Sequence, residues 1–234
     1  MKALAVVTAM ILGMFAAQSY AGTIIPYPKT SVGTVAPTDT YTAVNGGDIN
    51  VYFYNFNAYD TDAVEVLDIT PGNHATSAGP VLYNHASGTN PAATLGEEVT
   101  ALTGVTAGDQ LEIEIFNTTN GYTLSSVPSD SADGYNHAYA APWTGGVIPG
   151  STTNVDAVVD GVPVLFVGME DLYYNPLVAP GTDGNSDLDY NDDQFLMTNI
   201  QDDPPVNTPE PSSLYLLGTG LLGLAGLVHR KLHA

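Results

Sequence analysis

Ile49-Asn50-Val51-Tyr52-Phe53-Tyr54-Asn55-Phe56 carries β-branched or aromatic residues at most positions and follows the turn residues Asn45-Gly46-Gly47. Such side chains fit a pleated, half-buried surface, so the stretch predicts a strand. Leu111, Ile113 and Ile115 alternate with Glu112 and Glu114, which predicts a strand with one apolar face and one face toward water. Val162 to Val167 is nearly continuous apolar sequence and predicts a central strand buried on both faces. Weaker strand patterns cover Val64–Ile69, Val81–Asn84, Val99–Leu102 and Gly121–Val127, and Gln194–Ile200 is the last. No helical period persists over a dozen residues of this region. Short strands separated by turns predict an all-β domain, a β-sandwich of jelly-roll-like kind whose strand order the pattern does not specify.

Outward from this domain, both ends of the 234-residue chain read as addresses. Lys2 precedes an apolar run from Ala3 to Ala17, and Ser19-Tyr20-Ala21 places small residues at a cleavage site, the order of a secretory signal peptide. The expected division is a signal peptide at 1–21, a sandwich at 22–201, a Pro-rich linker at 202–208 and a sorting segment at 209–234. In the last segment, Leu214 to Val228 is apolar and is followed by His229-Arg230-Lys231. Counted from Ser212 it offers about 17 residues, enough to predict a short transmembrane helix with its basic end in the cytoplasm. Gly218, Gly220 and Gly223 match a dinucleotide-binding spacing, but no strand precedes them, so the match carries no function.

Pro209-Glu210-Pro211, the Leu- and Gly-rich span and the basic end together resemble the PEP-CTERM sorting signal of Gram-negative bacteria. That resemblance implies recognition of Pro209, Glu210 and Pro211 by the membrane protease exosortase, while the N-terminal pattern makes signal peptidase the processing enzyme at the other end. It also implies export to the cell envelope, outer surface or extracellular matrix, including biofilm matrix. The membrane would be engaged only through the tail, transiently at the inner membrane before processing.

Charge is the extreme feature of the chain. Lys2, Lys29, Arg230 and Lys231 are the only Lys or Arg residues against 25 acids, and the formal net charge is −21. Such a field repels nucleic acid and attracts cations. With no cysteine in the chain, disulfide frameworks, thiolate metal sites and cysteine nucleophiles are excluded. Hydrophobic residues make up 44% of the chain, enough for a packed core.

The acids are densest at Asp183-Gly184-Asn185-Ser186-Asp187-Leu188-Asp189-Tyr190-Asn191-Asp192-Asp193, where seven of eleven residues are Asp or Asn. Calcium takes roughly six to eight oxygen ligands, and carboxylates and amides supply them. In a fully extended strand, six same-face residues would span about 33 Å, so the segment has to curl, or recruit another strand, to serve one ion. It is not an EF-hand, because Leu188 and Gln194 stand where the glycine and the bidentate glutamate belong. Glu170-Asp171, after the apolar Val162–Val167 run, are the natural additional ligands.

Phe166-Val167-Gly168-Met169-Glu170-Asp171-Leu172, then Ser186-Asp187-Leu188-Asp189-Tyr190-Asn191-Asp192 and Phe195, resemble the C-terminal signature of domain-of-unknown-function family 4114. The likeness covers about Gly161 to Ile200, with His137 as an upstream member. Met169 replaces a usual aromatic, and the Tyr173–Asn185 insert is longer than the family's. The resemblance implies a β-rich, metal-binding extracellular protein without assigned enzymatic activity, with Glu170, Asp171, Asp187, Asp189, Asn191 and Asp192 as the metal ligands.

Other motifs are weaker. His74, His85 and His137 lack metal-site spacing. Tyr135, Tyr139 and Trp143 are candidates for sugar stacking or for core packing. Asn117-Thr118-Thr119 is a glycosylation sequon by pattern alone. Glu112 and Glu114 form a carboxylate pair on a face expected to be wet, without the environment a glycosidase acid requires. The expected function is therefore that of a non-enzymatic surface or matrix protein stabilised by Ca2+. The alternatives are a Ca2+-dependent carbohydrate-binding or adhesion module, with extracellular polysaccharide as partner, and a polysaccharide hydrolase.

Overall fold

The computed structural model describes residues 40–72, 75–182 and 184–203; the expected signal peptide and sorting segment, together with His74 and Asp183, lie outside them. The described residues contain no helix, and so none long and apolar enough to cross a membrane. Fifteen strands follow in order: β1 (Thr40–Ala43), β2 (Gly47–Phe56), β3 (Asp62–Asp68), β4 (Thr76–Ser77), β5 (Glu98–Val105), β6 (Gln110–Asn117), β7 (Tyr122–Ser125), β8 (Ala138–Pro142), β9 (Gly146–Val147), β10 (Asn154–Val155), β11 (Val158–Val159), β12 (Val162–Pro163), β13 (Leu165–Met169), β14 (Asp193–Met197) and β15 (Ile200–Asp203).

Two antiparallel sheets carry the architecture. One runs β15-β1-β6-β3, with β7 also paired to β6, and the other runs β4-β5-β2-β14-β13-β8. One buried apolar cluster takes Tyr41, Val64, Val66, Ile113 and Ile115 from the first sheet and Ile49, Val51, Phe53, Val167 and Phe195 from the second. The sheets therefore share a core, and the alternation of Ile49, Val51 and Phe53 with Asn50, Tyr52 and Tyr54 places one set against it.

The six-stranded sheet is covered on its other side as well. Phe166 and Leu196 join Ile148, Val155 and Val164 in a second cluster, with Tyr52, Tyr54 and Trp143 packed on it. Two short ribbons, β9–β10 and β11–β12, contribute to this cover. Burial on both faces explains the continuous apolar run before Glu170: all of β13 and all of β14 are buried. The central-strand expectation thus holds, although the strand starts at Leu165 and Val162–Pro163 pairs separately with Val158–Val159.

Three local expectations change. Gln194–Ile200 is not one strand. Asn199 adopts a left-handed conformation (φ 58°), and the chain leaves β14 for β15 in the other sheet. β15 runs to Asp203, so Asp202 and Asp203 of the expected linker are paired with Tyr41 and Thr40. Val81–Asn84 makes only an isolated bridge, Val64 to Val81.

A further correction concerns Glu112 and Glu114. Glu112 is buried, at 3% exposure, and accepts a hydrogen bond from the Ser125 hydroxyl. Register places Glu114 opposite Glu65 across β3 and β6. Burial, then the charges of Glu112 and Glu65, push the Glu114 carboxyl from 4.5 to about 7. The pattern of alternation was right, but Ser125 and Ser126 of the neighbouring segment shelter this face. Because the folded pKa exceeds the unfolded one, Glu114's contribution to stability is complete below about pH 4.5 and is lost as the pH rises through about 7. Glu114→Gln removes the penalty. Its melting temperature should exceed wild type near pH 8, by about 2–4 °C per kcal/mol relieved, and match it near pH 4.5.

Candidate metal centre

Strands from both sheets end at one place. Asp62 opens β3 opposite Asn117 at the end of β6, and Asp193 opens β14 opposite Phe56 and Met169, the last residues of β2 and β13. Glu170 and Asp171 follow β13 directly, and the Asp187–Asp192 segment leads into β14. No Lys or Arg occurs between residues 40 and 203. The acids gathered here therefore have no ammonium or guanidinium group among the described residues to pair with.

Glu170, 1% exposed, organises the loop. Its carboxylate accepts the Ser186 hydroxyl and the Leu188 and Tyr190 amides. Those amides are presented by left-handed backbone at both residues, φ 57° at Leu188 and 54° at Tyr190. Left-handed conformation is costly for such side chains, about 1–2 kcal/mol per residue, and is sustained by fixed contacts. Here the amides bind an anion while the Leu188 and Tyr190 side chains pack with Tyr139 and Tyr174. The segment therefore does curl, as a single-ion site requires. The turns fall on Leu188 and Tyr190 in addition to Gly181 and Gly184.

The curl leaves Asp187 and Asp189 beside Glu170, and one oxygen from each of the three lies within 4.8 Å of the others. Asp187 also accepts the Asp189 amide, and Asp189 accepts the Asn191 amide and side-chain NH2. Burial raises the Asp189 carboxyl from 3.8 to about 6, with the Asn191 amide opposing and Asp187 adding to the rise. Glu170 is pushed well up by burial and by the Asp192 charge, against the hydrogen bonds from Ser186 and Tyr190.

The six expected ligands do not form one cage. Glu170, Asp187 and Asp189 meet, with Asn191 tied to Asp189. Asp171 and Asp192 instead meet each other, the Asp171 amide donating to Asp192 Oδ2 at 3.0 Å. Around them stand Asp60, Asp62 and Asp193. Asp60 and Asp62 lie far from the acid-dense stretch in the sequence. Their signal was Asp60-Thr61-Asp62 just before the apolar β3 run, a pair of acids that is unremarkable in so acidic a chain.

Asp62 and Asp171 are each raised from 3.8 to about 7. Burial is the main cause for both. For Asp62 the hydrogen bonds with Asn84 and Asp171 oppose it, while the charges of Asp60 and Asp192 add to it. For Asp171 the Asp62 charge comes next. Asp193 is pushed well up by burial and then by Asp62. Asp192 keeps part of its surface exposed, yet burial of its carboxyl and the charge of Asp171 hold it well above the usual range.

The remaining candidates are structural. Asn117, the sequon asparagine, is fully buried; its side chain donates to Asp60 Oδ2 at 2.8 Å and to the Asp171 carbonyl at 3.2 Å. His137 is buried against Asp133, with Nε2 2.9 Å from Oδ2. Burial works to raise the Asp133 carboxyl, but hydrogen bonding and charge from His137, with the Tyr174 and Tyr135 amides, outweigh it and lower the pKa. Through Tyr174 this pair anchors the segment after Asp171, and the His137 carbonyl accepts the Glu170 amide. Trp143 donates to the Val155 carbonyl and packs edge-on to Tyr54, so core packing accounts for it. His85 packs edge-on to Phe56.

The described residues therefore define an all-β domain with a carboxylate centre, lacking Lys and Arg, where its sheets end. Beyond them, residues 207–231 match the PEP-CTERM protein-sorting motif. The chain is an exported protein with a C-terminal sorting tail of the kind processed by exosortase. No curated protein and no solved structure matches the chain.

Glu170→Ala removes the acceptor for two buried amides, at a cost of about 1–3 kcal/mol for each unsatisfied group. The variant should melt earlier than wild type, and hydrogen exchange at the Leu188 and Tyr190 amides should accelerate more than exchange in β2.

Proposed function

We propose that this chain is a non-enzymatic protein of the outer surface or extracellular matrix of a Gram-negative bacterium, delivered through its PEP-CTERM tail and stabilised there by Ca2+. The observation that carries the calcium reading is the Glu170, Asp187 and Asp189 oxygen cluster, within 4.8 Å, in a stretch that lacks any Lys or Arg. Three carboxylates with nearby carbonyl and amide oxygens suit a hard divalent cation. The likeness of residues 161–200 to domain-of-unknown-function family 4114 supports the same assignment. Extracellular sites function with weak affinities, on the order of 10⁻⁴–10⁻³ M. The repeated passage of the chain between the two sheets supports a jelly-roll-like sandwich.

A second reading, a Ca2+-dependent carbohydrate-binding surface, draws on Tyr59, which is fully exposed, and on Tyr173. Tyr173 is 40% exposed and stacked on Tyr122 with centroids 4.2 Å apart, while Tyr122 donates to the Asp171 carbonyl. Extracellular polysaccharide is the ligand class that suits such rings.

Thermal denaturation tests the calcium reading. Millimolar calcium should raise the melting temperature relative to chelator, and Asp187→Asn/Asp189→Asn should erase most of that increment; equal melting in calcium and chelator overturns it. Glycan binding that appears in calcium and vanishes on Tyr173→Ala favours the carbohydrate-binding reading. Delivery is checked separately. Glu210→Ala should leave the unprocessed chain in the inner-membrane fraction, whereas normal release would show that Pro209-Glu210-Pro211 is not the processing signal.

A further inference from the structure

A cleft of about 350 Å³ opens at the end of the six-stranded sheet remote from the carboxylate centre. It is lined by the turn into β2, the start of β2, the residues that leave β14 and the tip of the β11–β12 ribbon. The carboxylate centre sits where β2 ends, ten residues or about 30 Å along the strand. Asn199, left-handed at φ 58°, fixes the floor. Its Oδ1 accepts the Asn45 N–H at 2.8 Å, and its Nδ2 donates to the Asn45 and Asp48 carbonyls at 3.1 and 3.3 Å. These bonds engage only backbone groups of Asn45 and Asp48, both of which line the cleft. Asn50 Oδ1 accepts the Thr100 hydroxyl at 2.8 Å, which leaves the Asn50 NH2 to donate. Asp160 stands at the ribbon tip, where it and Gly161 have φ of 50° and 80°, the two-residue turn that such ribbons favour. Beside it Val159 and Val162 supply apolar surface.

We propose that this cleft binds an amine-bearing saccharide, a hexosamine unit of a surface polymer, with Asp48 and Asp160 taking the ammonium and the Asn45 and Asn50 amides taking hydroxyls. The volume suits one sugar ring with its substituents, since ligand clefts start at roughly 300 Å³. No Lys or Arg occurs between residues 40 and 203, so a phosphate, sulfate or uronate would meet net repulsion. No aromatic residue lines the cleft, which disfavours a planar base. An amide offers donor and acceptor together, the pairing that a hydroxyl needs. An ammonium beside carboxylates that lack a Lys or Arg partner gains charge-assisted hydrogen bonds. No third acidic oxygen joins Asp48 and Asp160 among the described residues, so a metal ion fits less well. The site lies at the opposite end of the sheet from Tyr173 and the calcium cluster, uses none of their residues and requires no ion.

Calorimetric titration tests it, with the full chain in detergent and chelator at about pH 5.5, where ordinary aspartates are ionised, and in about 0.15 M salt to screen the diffuse field. The probes are the glucosamine tetramer, its N-acetylated counterpart and a galacturonate tetramer. Wild type should bind the glucosamine tetramer saturably and the other two about tenfold more weakly or not at all, a difference of about 1.4 kcal/mol or more. Asp48→Asn/Asp160→Asn should lose that preference; asparagine tolerates the left-handed turn at 160, so the variant keeps its fold. Asp130→Asn/Asp156→Asn removes the same charge from exposed positions outside the cleft and should bind as wild type does. No saturable binding by wild type overturns the proposal, as does equal binding of the acetylated tetramer or equal weakening in the two variants. Binding that needs calcium or is lost in Tyr173→Ala also overturns it and assigns the sugar to the calcium-dependent surface. Failure here leaves the calcium reading untouched, because every titration is run without the ion.

Discussion

Buried carboxylates without basic partners set the terms for this domain. Asp62, Asp171, Asp193, Glu170 and Asp189 are each at most 5% exposed, in a stretch of more than 160 residues that contains no Lys or Arg. In most proteins such groups would be matched by guanidinium or ammonium groups. Here the available compensation comes from neutral donors: the Asn84 and Asn191 amides, the Ser186 hydroxyl and backbone N–H groups. These donors lessen the desolvation cost but leave net negative charge in place. The raised pKa values of Asp62 and Asp171 express that imbalance. Protons relieve it at Asp62 and Asp171 up to about pH 7.

The core and the acidic centre are mechanically continuous. β13 is buried on both faces, and its last residue, Met169, belongs to the shared core; the next two residues are Glu170 and Asp171. Glu170 then dictates the path of a loop whose Leu188 and Tyr190 adopt backbone conformations they would not choose in isolation. Their side chains pack on Tyr139 and Tyr174, and Tyr174 is held in turn by Asp133 and His137. Apolar packing therefore supports the strained turns, and the turns present the carboxylates.

Much of this was legible in the chain itself. Alternation in Ile49–Phe56 and Leu111–Ile115 identified strands, because side-chain direction in a strand depends only on parity. The apolar run before Glu170 marked a doubly covered strand, and the Asp/Asn density near residue 190 marked the centre. Other features were hidden. The shelter over Glu112 comes from Ser125, which only strand pairing brings across. The Gln194–Ile200 segment looked like one strand, yet Asn199 turns it from one sheet to the other. The acids near residue 190 looked like one set, but the left-handed turns at Leu188 and Tyr190 bring Asp187 and Asp189 to Glu170, while Asp192 accepts the Asp171 amide.

The amino-acid sequence alone determined the all-β character, the export tail and the lack of bases, since composition, periodicity and a contiguous motif are properties of the chain in one dimension. Tertiary structure decided which acids face one another. Asp62, Asn84 and Asp193 converge only because β3 and β14 lie in sheets that share a core, and no local pattern records which interior position of one sheet will stand across from which position of the other. Partner choice there is settled by close packing of the whole interior, to which every strand contributes at once.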